Sequence, residues 1–109
     1  MNLHWCLFTS CASQEAALKV AAKHFEKASI EVGDISAEPY YKGGFKVSTC
    51  SDHLAQSWSE FVVLALALAQ NTGHGWILTG SVTEELNAWS NLSVVSGISS
   101  IHVQAIREV

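Results

Sequence analysis

The side chains that most often carry chemistry are spread thinly along this sequence. Its five histidines show no HxH or HxxxH spacing, which would place two imidazoles on one face of a strand or helix. His4 and Cys6 share one face of a predicted strand, where both could reach the same metal ion. A closed structural site needs four ligands, however, and the sequence indicates no partners for this pair. We therefore predict no metal site.

His74 lies between Gly73 and Gly75, at a predicted helix-to-strand turn. An exposed imidazole in such a turn suits general acid or base chemistry, although a polar turn residue needs no such role. The sequence contains no recognisable Ser/His/Asp set and no GxGxxG, P-loop or HExxH motif. We predict neither catalytic residues nor a cofactor, and therefore a protein that is not an enzyme.

Acidic and aromatic residues near two predicted turns are the candidates for partner binding. Glu84 and Glu85 are adjacent, so on a strand they would point to opposite faces and could not form a catalytic carboxylate pair. Aromatic anchors inside a charged rim are typical of protein interfaces. The predicted partner-binding residues are Glu38, Tyr40, Tyr41, Glu84 and Glu85.

The charges are distributed unevenly along the chain. The sequence has 6 Lys and Arg against 10 Asp and Glu, and no Lys or Arg lies between Val47 and Ile106. A protein that binds nucleic acid directly needs a basic patch to neutralise phosphates, so we exclude that class. An acidic surface of low charge density instead suits either solubility or a basic partner.

The compartment follows from the cysteines and the apolar runs. Cys6, Cys11 and Cys50 are odd in number and show no CxxC spacing, which indicates reduced thiols. The longest apolar run is well short of the roughly 20 residues of a membrane span. The N-terminal residues lack the basic start and cleavage site of a signal peptide. We expect a cytoplasmic protein that does not bind membranes.

The hydrophobic pattern alternates between strand and helix periods. Asn2–Thr9 is predicted to be a central strand, because both of its faces are mostly apolar. Ser13 is a suitable N-cap for a helix over Gln14–Ala28, whose apolar residues repeat at helical spacing. Further strands are predicted over Ser29–Glu38, Phe45–Thr49, Trp76–Val82 and Ile98–Glu108, with a turn or loop over 84–97.

An uncharged apolar run, Phe61–Ala69, marks the centre of a second helix. Leu and Ala favour helix, and Ser51 or Asp52 is a plausible N-cap, so we predict a helix over Leu54–Gln70. Because the run is apolar nearly all round, this helix should need cover on most sides.

The order β-α-β-β-α-β-β predicts one α+β domain over residues 1–109. It describes a ferredoxin-like sandwich, in which an antiparallel sheet carries two helices on one face. The other face would then require a cover, either the fifth strand or a second copy of the chain. The sequence leaves a homodimer open.

Three segments of the C-terminal half carry a family resemblance: Trp76–Ser81, Ala88–Asn91 and Ser96–Val103. This pattern resembles small bacterial immunity proteins of contact-dependent inhibition and other polymorphic toxin systems. The resemblance implies a small acidic protein that binds and neutralises one cognate toxin domain, often a nuclease. It transfers no catalytic residue, and the contact residues of such proteins vary between pairs.

The alternative belongs to another class of function. The same sandwich resembles ligand-binding domains of the ACT type and dimeric α+β-barrel monooxygenases, in which two sheets enclose a pocket. By this resemblance a pocket would be lined by His4, Trp76, Trp89 and His102, with His53 or His74 as the candidate active histidine.

Overall fold

A computed structural model describes residues 1–107 of the chain. The described strands form a six-stranded antiparallel sheet of order β2-β3-β1-β8-β6-β5 and a two-stranded ribbon of β4 and β7. The predicted α+β class and antiparallel sheet are confirmed. The elements are β1 (Asn2–Thr9), α1 (Gln14–Lys27), β2 (Ser36–Pro39), β3 (Phe45–Asp52), α2 (Trp58–Gln70), β4 (Gly73–His74), β5 (Ile77–Leu78), β6 (Glu85–Ser90), β7 (Leu92–Ser93) and β8 (Ile98–Ile106).

The strand β1 lies in the middle of the sheet, as its two apolar faces predict. Leu3, Trp5 and Leu7 point to one side, where none is more than 1% exposed. Strands β3 and β8 pair with β1 and place their own buried residues on that side. The Trp5 indole N–H donates to Ser51 Oγ at 2.9 Å, so this buried donor has a hydrogen-bond partner.

Helix α1 packs on the Trp5 side of the sheet. Ser13 is its N-cap, as predicted, and the Ser13 hydroxyl accepts from the Ala16 N–H at 3.1 Å. Near its C-terminal end, Phe25 meets the Trp5 ring edge to face at 5.5 Å. The buried residues of α2 belong to the same hydrophobic core.

Helix α2 is shorter than predicted and begins at Trp58, not at Leu54. The Ser57 hydroxyl accepts from the Glu60 N–H, and the Glu60 carboxylate accepts from the Gln56 N–H. These two bonds form a variant of the capping box, so Ser57 is the N-cap in place of Ser51 or Asp52, which belong to β3. The helix also has less cover than expected, because Val63 is 69% exposed.

Two strands are shorter than predicted. One reason is that backbone groups expected to pair within the sheet form hydrogen bonds in turns and loops. After α1 the Ile30 N–H donates back to the Phe25 carbonyl, and the chain becomes strand only at Ser36–Pro39. The predicted strand Trp76–Val82 is reduced to Ile77–Leu78. Of the predicted strand Ile98–Glu108, the described part ends at Ile106, and Glu108 lies outside the described residues.

The predicted turn or loop over 84–97 is wrong for its first half. Residues Glu85–Ser90 form β6, which pairs with β8 along its whole length. Leu86, Ala88 and Ser90 are buried and alternate with more exposed residues, which is the strand period. The pairing with β8 therefore overrides the weak local preference of this polar stretch.

His24 is a buried residue of the core that should respond to pH. Its side chain is 1% exposed between Trp5 and Phe25, and neither ring nitrogen has a partner among the described residues. Burial lowers the pKa of His24 to about 4. The imidazole is therefore neutral in the fold at neutral pH and resists protonation in mild acid.

We predict that His24 destabilises the fold below about pH 6.5. Between the unfolded pKa near 6.5 and the folded value, the unfolded chain binds more protons, so the free energy of unfolding falls as pH falls. The loss should reach roughly 2 kcal/mol at pH 5 and level off below pH 4. Denaturant melts of His24→Leu at pH 7.5 and 5 should show a smaller pH response than the parent. His74→Gln, which changes an exposed imidazole, is the control, and equal responses in His24→Leu and the parent would contradict this role.

Candidate functional site

The sheet has a second face that neither α1 nor α2 covers. We call it the open face, and it consists of the residues of β1, β3, β6 and β8 that alternate with the buried ones. Cys6 is central to it, between Ser48 on β3 and His102 on β8. The principal residues of the open face are His4, Cys6, Phe8, Lys46, Ser48, Cys50, Glu85, Asn87, Trp89, Ser100, His102 and Gln104.

Five rings form a continuous line across this face, from the turn after β2 to β6. We call this line the aromatic row. Tyr41 contacts Tyr40 at 4.8 Å between ring centroids, and Tyr40 meets Phe8 edge to face at 5.0 Å. Phe8 lies 6.0 Å from Trp89, which stacks on His102 at 3.8 Å and 8° between planes. Five aromatic rings thus lie together on a solvent-exposed surface. An exposed apolar patch of this kind is typical of an interaction site.

The Trp89–His102 stack is fixed from the side by Asn87. Trp89 and His102 are directly opposite each other on β6 and β8, so the register alone brings the two rings together. The Asn87 side-chain oxygen is hydrogen-bonded to His102 Nε2. In that bond the neutral imidazole carries its proton on Nε2 and donates it, which fixes the ring in the plane that Trp89 covers.

A shallow groove of about 730 Å³ runs beside the aromatic row. Aromatic surface lines one part of it and polar side chains line the rest. The His4 Nδ1 and Cys50 Sγ atoms are 3.1 Å apart across β1 and β3. The lining residues are His4, Trp5, Cys6, Phe8, Gly33, Asp34, Lys46, Ser48, Thr49, Cys50, Trp89, His102 and Gln104.

Partial burial sets the protonation of two groups in this groove. Burial raises the pKa of the Cys6 thiol, and Lys46 opposes that shift. Burial lowers the pKa of His102, and Lys46 lowers it further because two cations repel. Near neutral pH the floor of the groove therefore presents a neutral thiol and a neutral imidazole beside one ammonium group.

The structure separates the predicted partner-binding residues into two groups. Glu38, Tyr40 and Tyr41 lie together at the β2 corner, where Glu38 faces Lys46 at 3.9 Å. Glu84 and Glu85 lie at the start of β6, four strand spacings away, or roughly 19 Å across the sheet. Tyr40 and Tyr41 belong to the aromatic row, and the two groups of carboxylates do not form one cluster.

The sequence identified only part of this site. His4, Trp89 and His102, suggested as the lining of a pocket, do line the groove. Trp76 does not line the groove. Its indole N–H donates to the Gly73 carbonyl, and its side chain packs against the hydrophobic core. Phe8 was not predicted as part of the site. The alternation of β1 places it on the second face, but apolar residues on both faces predicted a strand that is covered on both sides.

The remaining candidates for chemistry lie apart from one another. His74 is exposed on β4, opposite Leu92, and His53 lies beside Ser51, with Nε2 2.6 Å from Ser51 Oγ. Within residues 1–107 no three His, Cys, Asp or Glu side chains are close enough to hold a metal ion. No helix in that part of the chain is long and apolar enough to cross a membrane.

We predict a measurable coupling between Trp89 and His102. Stacked aromatic pairs contribute about 0.5–1.5 kcal/mol beyond the area they bury. A double-mutant cycle of Trp89→Ala and His102→Ala, followed by urea unfolding at pH 7.5, should give an interaction energy in that range. The same cycle with His74→Ala in place of His102→Ala should give none, and the stack is refuted as an energetic unit if the two cycles agree.

Comparison of the chain with protein-family models, with curated proteins and with solved structures finds no match. No family is therefore assigned, and the functional inference depends on the open face, its aromatic row and the distribution of charge around them.

Proposed function

We propose that this protein acts by binding a protein partner on the open face, without turnover, and that the partner is a basic bacterial toxin domain with nuclease activity. In this proposal the chain is the immunity protein of that toxin and acts by occluding its active site. The observation that carries the proposal is the aromatic row, which joins Tyr41 to His102 across a sheet face that neither α1 nor α2 covers.

The row has the composition of an interface centre. Tyrosine and tryptophan are enriched among the residues that dominate binding energy, and they act best where neighbours exclude water. Tyr41 is 85% exposed and Trp89 is 36% exposed, so the row contains one largely exposed ring and one partly buried ring. Exposed aromatic surface of this kind is costly to leave in water, which supports a role in contact with a partner.

The sign of the partner's charge is inferred from the half of the open face formed by β8, β6 and β5. This half contains Glu85 on β6 and Glu84 in the turn before it. No Lys or Arg lies between Val47 and Ile106, but Arg107 follows β8 beside these residues, where its backbone N–H donates to the Glu84 carbonyl and its guanidinium to the Thr83 carbonyl. A basic nuclease cleft placed over it would meet carboxylates where it otherwise meets phosphates. Complementary potentials of this kind speed association and select the partner.

The finer architecture that we propose is ferredoxin-like. Strands β2-β3-β1-β8 are consecutive neighbours and all pair antiparallel, the order produced when α1 joins β1 to β2 and α2 precedes the last strand. Residues 71–97 are then an insertion between α2 and β8, and its strands β6 and β5 extend the sheet.

The decisive experiment starts from the open reading frame immediately upstream, where a toxin is expected beside its antidote. Co-expression of that toxin domain with this protein should protect cells, and the two should co-purify. If the neighbour is a metabolic enzyme and the protein protects against no toxin, the immunity proposal fails. Sedimentation of the free protein tests the competing occupant, since a stable homodimer would place a second copy on the face.

We predict that the row supplies the binding energy. Trp89→Ala and Tyr40→Ala should each weaken the complex by about 2 kcal/mol or more, mainly through faster dissociation. Val63→Ala, at an exposed position on α2, is the matched control and should leave the affinity unchanged. Calorimetric titration of the purified pair measures all three, and an affinity insensitive to both aromatic substitutions would exclude the row as the contact.

We also predict that the Glu84 and Glu85 carboxylates set the association rate. The double substitution Glu84→Gln/Glu85→Gln should slow association and flatten its dependence on salt, because exposed charges act mainly through steering. Glu15→Gln/Glu26→Gln on α1 makes the same change in net charge at a distance from the face. Stopped-flow association at low and high salt should separate the two variants, and equal effects would mean that net charge alone matters.

A further inference from the structure

We propose that the groove beside the aromatic row is a binding site for a small planar aromatic monocarboxylate. The proposal is independent of the protein partner, because it concerns the free protein and a different class of ligand. The volume of the groove, about 730 Å³, is within the roughly 300–1,000 Å³ typical of small-molecule sites. Three features of the groove define the ligand: one cation, the aromatic side chains beside it and a set of neutral donors.

The cation is the Lys46 ammonium, the one Lys or Arg side chain among the residues that line the groove. Its only close carboxylate in the described part of the chain is Glu38, and the Nζ–Oε1 distance is 3.9 Å. Direct charge-assisted hydrogen bonds are about 2.7–2.9 Å long, so this pair leaves the ammonium donors open to another acceptor. A carboxylate in the groove can therefore bind Lys46 without breaking a tight ion pair.

Aromatic side chains lie next to this cation. Phe8 is directly opposite Lys46 in the β1–β3 register, and the Phe8 ring stacks with Trp89 at 6.0 Å between centroids. A planar ring whose carboxylate contacts Lys46 would thus lie beside the Phe8 ring. Planar rings pack on such surfaces with favourable offset or edge contacts, which a saturated ring cannot reproduce.

The remaining lining favours one negative charge over two. The Ser48 hydroxyl and the Gln104 amide supply neutral donors, and His4 adds a ring nitrogen. Asp34 is also among the lining residues, and its negative charge would repel a second anionic group on the ligand. The chemistry of the groove therefore matches benzoate-like monoanions better than phosphates or dicarboxylates.

The test uses benzoate as the probe and follows backbone and indole N–H signals of the free protein by NMR. Benzoate should shift the signals of Phe8, Lys46 and the Trp89 indole in a saturable manner. Benzylamine, which reverses the charge, and cyclohexanecarboxylate, which removes the planar ring, should each bind at least tenfold more weakly. Comparable binding of either compound would overturn the proposal.

Two variants assign the contacts. Lys46→Gln should weaken benzoate binding tenfold or more, whereas Lys42→Gln, in the adjacent turn, should leave it unchanged. Lys46→Arg keeps the charge and should retain binding, so it guards against a general structural effect. Absence of saturable shifts, or equal binding by Lys46→Gln and the parent, would refute the site. Neither result bears on toxin protection, which is measured with the partner and without benzoate.

Discussion

The alternation of β1 is the constraint on which the rest of the structure depends. Leu3, Trp5 and Leu7 must be buried, and in a strand this requirement sends His4, Cys6 and Phe8 to the opposite side. Because β3 and β8 pair with β1 on either side, the register of β1 decides which of their residues enter the core. A slip of one residue would exchange the core with the open face, so the burial of Trp5 also fixes which residues form the open face.

How much of this could be predicted depended on the local strength of each signal. The helix α1 was predictable to within a residue, because its apolar stripe and the Ser13 cap agree. The start of α2 was not, since several Ser and Asp residues precede it and only the bonds between Ser57, Glu60 and Gln56 distinguish the true cap. Strand β6 was missed because its conformation comes from pairing with β8, a contact that no short window of sequence contains.

The candidate site was harder to predict than the fold for the same reason. Tyr40 and Tyr41 were recognisable in a turn, but their continuation through Phe8 to Trp89 crosses strands that are distant in sequence. Adjacent charges were grouped by sequence, whereas the sheet places Glu38 and Glu85 near opposite edges. Local composition thus identified the kinds of residue in the site, and only the strand order could show which of them meet.

The strand order also has a consequence for how the chain folds. The central strand β1 is synthesised well before its neighbour β8, and Cys6 pairs with His102 only when both are present. Pairings between residues so distant in sequence are slow to form, because the loop must close before its contacts contribute. Until then the apolar edge of β1 is unpaired, which makes a partly synthesised chain prone to aggregation. The open face therefore forms late, and a chain truncated before β8 would lack both its central pairing and the His102 end of the aromatic row.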